Sequence, residues 1–182
     1  MNRRKFVAIV GLAPLAVRSA ELNGAAVGKP LVVLPESARV YDTGHGGTCV
    51  LVGSEQSGGR WWLGSFLSDP GRKTSLHVHF SADEQIYVLE GILSVWLDNR
   101  WEDLPTGALA VAPRGVAHAL GNRTKKPVRF LVSGEPAGFE RFFADLETIV
   151  RRFPYGSTEF LAELATVYKK YNSELLGPPP QG

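Results

Sequence analysis

The stretch GRKTSLHVHFSADEQIYVLEG, residues 71–91, decides how this chain is read. It sets Gly71, His77, His79, Glu84 and Gly91 in fixed register. A second stretch, GALAVAPRGVAHALGN, residues 107–122, does the same for Gly107, Pro113, Gly115, His118 and Asn122. Gly and Pro each make up only about 5 to 7 per cent of an average sequence, so ten such positions in register do not arise by chance. The chain has four histidines, and three of them fall in these two stretches. Three imidazoles and one carboxylate are thereby placed where one metal ion can hold all four.

Strand geometry explains the spacing. Side chains two apart in a strand share a face, so His77 and His79 point together into one cavity. Ser81-Ala82-Asp83 turns the chain, and Glu84 opens the next strand close to both histidines. The alternation then puts Ile86 and Val88 inside, with Tyr87 and Leu89 outside. His118 lies 41 residues beyond His77, so only a folded-back or closed sheet brings it to the same place. Pro113-x-Gly115 makes the tight turn that delivers its strand, and Asn122 closes that strand. Gly71, Gly91 and Gly107 stand where reversal needs a permissive backbone.

Outward from this centre, short β-prone runs are separated by Gly, Pro, Asn and Asp. They are Leu31 to Leu34, Arg39 to Tyr41, Cys49 to Val52, Trp61 to Leu67, Ser75 to His79 and Gln85 to Glu90. Ile92 to Leu97, Leu109 to Ala112, Ala117 to Leu120 and Val128 to Val132 continue the series. Such a pattern predicts an antiparallel sandwich or barrel. Past Glu135 the period changes. Pro136 suits a first helical turn, and Phe139, Phe142, Phe143, Leu146, Ile149 and Val150 recur at helical spacing. A second helix is expected from Ser157 as cap, with Phe160, Leu161, Leu164, Val167, Tyr168 and Tyr171 on one face. Both helices are expected to cover the barrel's outside or one end, with their aromatic stripe as core. The tail Gly177-Pro178-Pro179-Pro180 continues neither.

Both stretches resemble, position for position, the two motifs of the cupin superfamily, with the short spacing of its small bacterial members. The segments EQIYVLEG (84–91), AGFERFF (137–143) and LLGPP (175–179) are similar to the single-domain, quercetin-dioxygenase-like cupins. The resemblance covers roughly Leu31 to Pro180. It implies an antiparallel jelly-roll β-barrel with C-terminal α-helices. It also implies metal ligands at His77, His79, Glu84 and His118, with Glu84 able to take a substrate proton. Such a donor set suits one divalent transition metal among Fe, Mn, Ni, Co, Cu and Zn, and leaves coordination positions open for a small-molecule substrate. Pairing of barrels into a homodimer is a further implication.

Composition narrows the partners. Net charge is +2, yet Arg3, Arg4, Lys5 and Arg18 supply the excess, and without them 16 basic residues face 18 acidic ones. No basic stripe interleaved with aromatics is present, so nucleic acid is not an expected partner. Cys49 is the single cysteine, which excludes an intrachain disulfide and multi-thiolate metal sites. Arg3-Arg4-Lys5-Phe6-Val7 opens an uncharged run to Val17, too short to span a bilayer and resembling a twin-arginine export signal. The cleavage region is poor, since Arg18 stands where a small residue is wanted. The expected organisation is an export signal and leader over 1–26, the barrel over 27–135, and a helical extension with Pro-rich tail over 136–182. Export to the periplasm follows from the leader, without stable membrane insertion after its removal; a mis-assigned start would leave the protein cytoplasmic.

Other residues read as structural. His45 has no ligand spacing and belongs in a loop. Glu55-Gln56-Ser57-Gly58-Gly59 reads as a flexible loop, Cys49 as a small buried apolar residue, and Trp61 and Trp62 as facing opposite sides. Three function classes fit the chain: a metal-dependent dioxygenase-like oxidoreductase acting on a phenolic or enolisable compound, a non-redox isomerase or lyase, and a small-molecule binder without turnover.

Overall fold

The computed structural model describes residues 30–44 and 46–181. The expected export signal and the loop position of His45 therefore lie outside the described residues. Within them run strands β1 (Arg39–Asp42), β2 (Gly46–Val52), β3 (Trp62–Ser68), β4 (Leu76–His79), β5 (Asp83–Glu90) and β6 (Ile92–Leu97). β7 (Arg100–Pro105), β8 (Leu109–Ala112), β9 (Ala119–Gly121), β10 (Val128–Glu135) and β11 (Ser173–Gly177) complete the set. The helices are α1 (Ser54–Ser57), α2 (Phe142–Arg152) and α3 (Thr158–Lys170). No helix among the described residues is long and apolar enough to cross a membrane.

The strands form a jelly roll. A six-stranded sheet runs in the order β1-β2-β3-β10-β5-β8, a three-stranded one in the order β7-β6-β9, and β11 pairs with β4. Named pairings are antiparallel throughout. Period-two alternation explains which face is inside. On β5, Ile86 and Val88 are fully buried while Tyr87 and Leu89 are exposed, as expected of a half-buried strand. Val128, Phe130 and Val132 on β10 and Ala110 and Ala112 on β8 fill the same interior. Gly91 ends β5 at φ 88°, and a Cβ there would stand 3.2 Å from the Pro127 carbonyl oxygen; reversal at that point needs glycine.

Trp62 is buried and Trp61 exposed, so the pair straddles its strand as its spacing predicts. α3 begins at the Ser157 cap, whose hydroxyl accepts from the Phe160 N–H at 3.2 Å. α2 buries Phe142, Phe143, Leu146 and Ile149, and α3 buries Phe160, Leu164 and Tyr168. The aromatic stripe is core, and it also walls the interior cavity beside His77 and Glu84.

Several expectations fail for definable reasons. Leu31 to Leu34 is no strand: no strand among the described residues pairs with it, Leu31, Val32 and Leu34 are exposed, and the Leu34 carbonyl accepts instead from Ser37 in a short turn at Pro35–Ser37. Pro136 opens no helix, because Gly138 at φ 135° resets the chain before a 3₁₀ turn at Phe139–Arg141. Ser54 to Ser57 is a helical turn closed by Gly58 in the left-handed region, not a loop. Cys49 is only half-buried on β2. Two strands went unpredicted, β7 and β11. β7 is polar but is held in register with β6 by the Asp98-Asn99 turn, where both residues take positive φ.

Candidate metal centre

Four side chains converge from three directions. β4 turns His77 and His79 inward, and His118 stands opposite His77 in an isolated antiparallel bridge. That bridge is reciprocal: the His118 N–H donates to the His77 carbonyl at 2.8 Å and the His77 N–H returns a bond at 3.1 Å. Glu84, second residue of β5, lies between Ala112 of β8 and Gly134 of β10. All four side chains are buried, and their ligand atoms lie within 4.8 Å of one another, so they can hold a metal ion.

Two further contacts tie the motifs together. Arg114 forks onto Asp83, with Nε to Oδ1 at 3.0 Å and a terminal nitrogen to Oδ2 at 2.9 Å. This pulls the Pro113 turn against the residue beside Glu84. Asn122, fully buried, donates to the Ser68 and Lys126 carbonyls at 2.9 and 2.8 Å and accepts from Thr124. It is a staple for the loop after β9, consistent with a closing role.

The proton positions follow from the outer hydrogen bonds. His77 Nδ1 is 2.9 Å from the Ser75 carbonyl and His118 Nδ1 is 3.0 Å from the Val116 carbonyl. Carbonyls only accept, so each Nδ1 carries the proton. Ser173 Oγ donates its own proton to the Tyr171 carbonyl at 3.0 Å, so His79 Nδ1 donates to that Oγ at 2.9 Å. In the neutral rings every Nε2 is thus a lone pair. His118 Nε2 faces Glu84 Oε2 at 3.0 Å, and His79 Nε2, buried without a hydrogen-bond partner, faces Oε1 at 3.8 Å. Acceptors confronting acceptors in a buried cage demand a cation.

Electrostatics agree. Burial pushes His77 well below its ordinary value and His79 down to about 4. Burial would raise the Glu84 carboxyl, but the hydrogen bond from His118 and the three nearby imidazoles pull it down to about 2. Burial would likewise lower His118, and its contact with Glu84 overrides this and raises it. Without metal, the cage favours a proton on His118 beside the Glu84 carboxylate. A divalent ion answers the same demand better, and the donor set of imidazoles and carboxylate suits a transition metal.

A cavity of about 130 Å³ opens from this cage, with His77 and Glu84 in its wall. Phe66, Phe130, Phe142, Phe143, Phe160 and Tyr168 supply much of its aromatic lining. Sequence reasoning found the four cage residues but missed Ser173, which fixes His79, and the barrel phenylalanines Phe66 and Phe130. Alternation on β3 and β10 was the available signal for the latter.

The cupin domain family matches residues 65–134, a span that contains all four cage residues. Among solved structures, the fold is similar to that of KdgF from Halomonas sp., at 16% identity and TM-score 0.56, covering 62% of this chain and 99% of that one. It is also similar to an RmlC-like cupin from Shewanella frigidimarina, at 19% identity and TM-score 0.53, covering 62% and 96%. A predicted oxalate decarboxylase from Thermotoga maritima stands at 18% identity and TM-score 0.53, covering 58% and 99%. At these identities the likeness is one of fold. No curated protein sequence matches the chain. Residues 65–134 are thus a cupin domain by that match, set in a jelly roll whose fold is that of solved cupins.

Proposed function

We propose that this cupin is a metal-dependent oxidoreductase of dioxygenase type, acting on a phenolic or enolisable small molecule. One observation carries the reading: a cage of four buried acceptors borders, through His77 and Glu84, a chamber rich in aromatic side chains. A redox-active divalent ion held by His77, His79, Glu84 and His118 would supply the coupling of an electron-rich substrate to dioxygen. The protein's own part is positioning and proton handling. Phenylalanine walls exclude water and hold an apolar substrate against the cage. Glu84, kept ionised by the imidazoles around it, is the base within reach of a substrate hydroxyl at that wall. The three Nδ1 hydrogen bonds keep the imidazoles from turning as that proton moves.

The test is metal analysis of protein from its native host, wild type against His118→Ala, followed by oxygen uptake with catechols. About one equivalent of Fe, Mn, Ni, Co or Cu, lost in the variant along with oxygen uptake, supports the reading. Zinc alone with oxygen-independent turnover would move the protein to the isomerase or lyase class. No metal after reconstitution would leave a binder.

Two further elements belong to the same reading. A homodimer forms through the outer face of the large sheet, where Leu131 pairs with Tyr87 and Tyr87 with Leu109, and where Tyr87, Leu109 and Val111 are exposed. Tyr87→Glu should then yield a monomer by light scattering. The chain is exported through its Arg3-Arg4 leader, and the mass of the native protein in periplasmic extract checks this.

A further inference from the structure

The chamber beside the cage has a size, a polarity gradient and a charge, and together they specify what fits. Resting on the reading of this chamber as the substrate site, we propose that it selects a single-ring organic acid. The ring lies among the phenylalanines, and the acid group sits at Arg72 on the rim.

Size comes first. A dry void of about 150 Å³ lined by apolar side chains takes a benzene molecule, and this chamber measures about 130 Å³. One six-membered ring fills it; a second fused ring does not enter unless a wall moves. The walls are tightly packed. Phe66 and Phe130 stack at 5.3 Å and 14°, and Phe143 meets Phe66 edge-on at 5.4 Å. Phe142 and Phe160 are 3% and 1% exposed, fixed from behind by the helices that carry them. Such interiors do not widen freely.

Polarity then orients the guest. The inner end is buried at His77 and Glu84, whereas the rim is exposed at Leu67, Arg72 and Tyr155. Among the described residues Glu84 is the only acidic side chain lining the chamber, and the Lys and Arg side chains there are Arg72 and Lys73. The Lys73 ammonium lies over the Trp101 ring at 5.2 Å, and Trp101 is not part of the wall. The Arg72 guanidinium lies 5.7 Å over the ring of Tyr155, which is. The cation at the rim is therefore Arg72. An ionised acid group turned inward would meet the Glu84 carboxylate; turned outward it meets Arg72. The end of the ring opposite the acid is left for the phenolic or enolic oxygen that the cage would receive.

Binding to metal-free protein tests this apart from any catalysis. Calorimetric titration at low salt compares benzoate, benzamide and 2-naphthoate on wild type and on Arg72→Gln, an exposed position whose change leaves the core intact. Benzoate should bind best to wild type, 2-naphthoate should not bind measurably, and Arg72→Gln should weaken benzoate about fivefold, the scale of an exposed ion pair, while leaving benzamide unchanged. A benzoate preference that survives Arg72→Gln places the acid elsewhere and overturns the assignment. Equal binding of 2-naphthoate, or no binding of benzoate, overturns the ring-sized chamber. Because the titration needs no metal, failure of the metal reading leaves these outcomes intact, and their failure leaves the metal analysis intact.

Discussion

The ring of Phe139 stands edge-on to that of His79, centroids 4.3 Å apart and planes at 71°. Phe139 also stacks on Phe142 at 4.7 Å, so one side chain joins the helical cap to a cage residue. It walls two spaces at once, the aromatic chamber and a more polar cavity of about 300 Å³ on the far side of His79. Phe139 is the partition between them.

Removing that partition should join the two cavities. Phe139→Ala at this half-buried position is expected to lose about 2 kcal/mol, which for a chain of this length lowers Tm by about 4 to 8 °C. Phe139→Leu should lose less than half as much. Scanning calorimetry of the two variants checks the ordering.

Glu140 holds the turn that carries Phe139. Its buried carboxylate accepts from the Gly138 N–H at 2.6 Å, the Ser54 N–H at 2.8 Å and the Ser54 hydroxyl. Glu140→Ala strands those donors and should cost about 3 kcal/mol. Glu140→Gln, keeping one acceptor oxygen, should fall between it and wild type. The denaturant midpoint, at unchanged slope, reads both.

Ser173 sets the tautomer of His79. Ser173→Ala removes the acceptor for His79 Nδ1 without touching the cage. Metal affinity should drop about 10- to 100-fold with little change in fold. A chelator competition on wild type and variant measures it, and an unchanged affinity would sink the proposed role of the hydroxyl.

Acid should destabilise the metal-free protein in a defined window. His77 and His79 have folded values below the ordinary 6.5, so between 6.5 and about 4 the unfolded chain binds more protons and stability falls as pH falls. Glu84, held at about 2 against an ordinary 4.5, extends the loss below pH 4.5. His118 works in the opposite sense: its raised value contributes stability at low pH that disappears as pH rises through it. Two groups against one give a net fall in Tm from pH 6.5 to 4. Tm measured against pH, with chelator present, tests the sign.

How much of this was legible in the sequence varied with range. The spacing of His77, His79 and Glu84 reports strand geometry directly, and Ile86 and Val88 followed from the same alternation. The helical stripes from Phe139 to Val150 and from Phe160 to Tyr168 were equally plain, being local periodicities. What escaped depends on distant partners. Leu31 to Leu34 has the composition of a strand but pairs with no strand among the described residues, whereas β11 lacks alternation and is a strand because β4 offers it an edge. Glu140 looks like a surface charge until Ser54, 86 residues away, supplies its hydrogen bonds. Arg114 and Asp83 sit at unconstrained positions of their stretches, and only the fold shows them clasped.

The pairing of β11 with β4 orders events during synthesis. His77 and His79 leave the ribosome long before Ser173, and the hydroxyl that orients His79 lies 94 residues later in the chain. A nascent chain that has completed β1 through β10 owns all four cage residues but not the hydrogen bond that fixes the ring of His79. Ordered assembly of the cage thus waits for translation to pass Ser173, so a prematurely terminated product carries every ligand and still presents an unfinished centre.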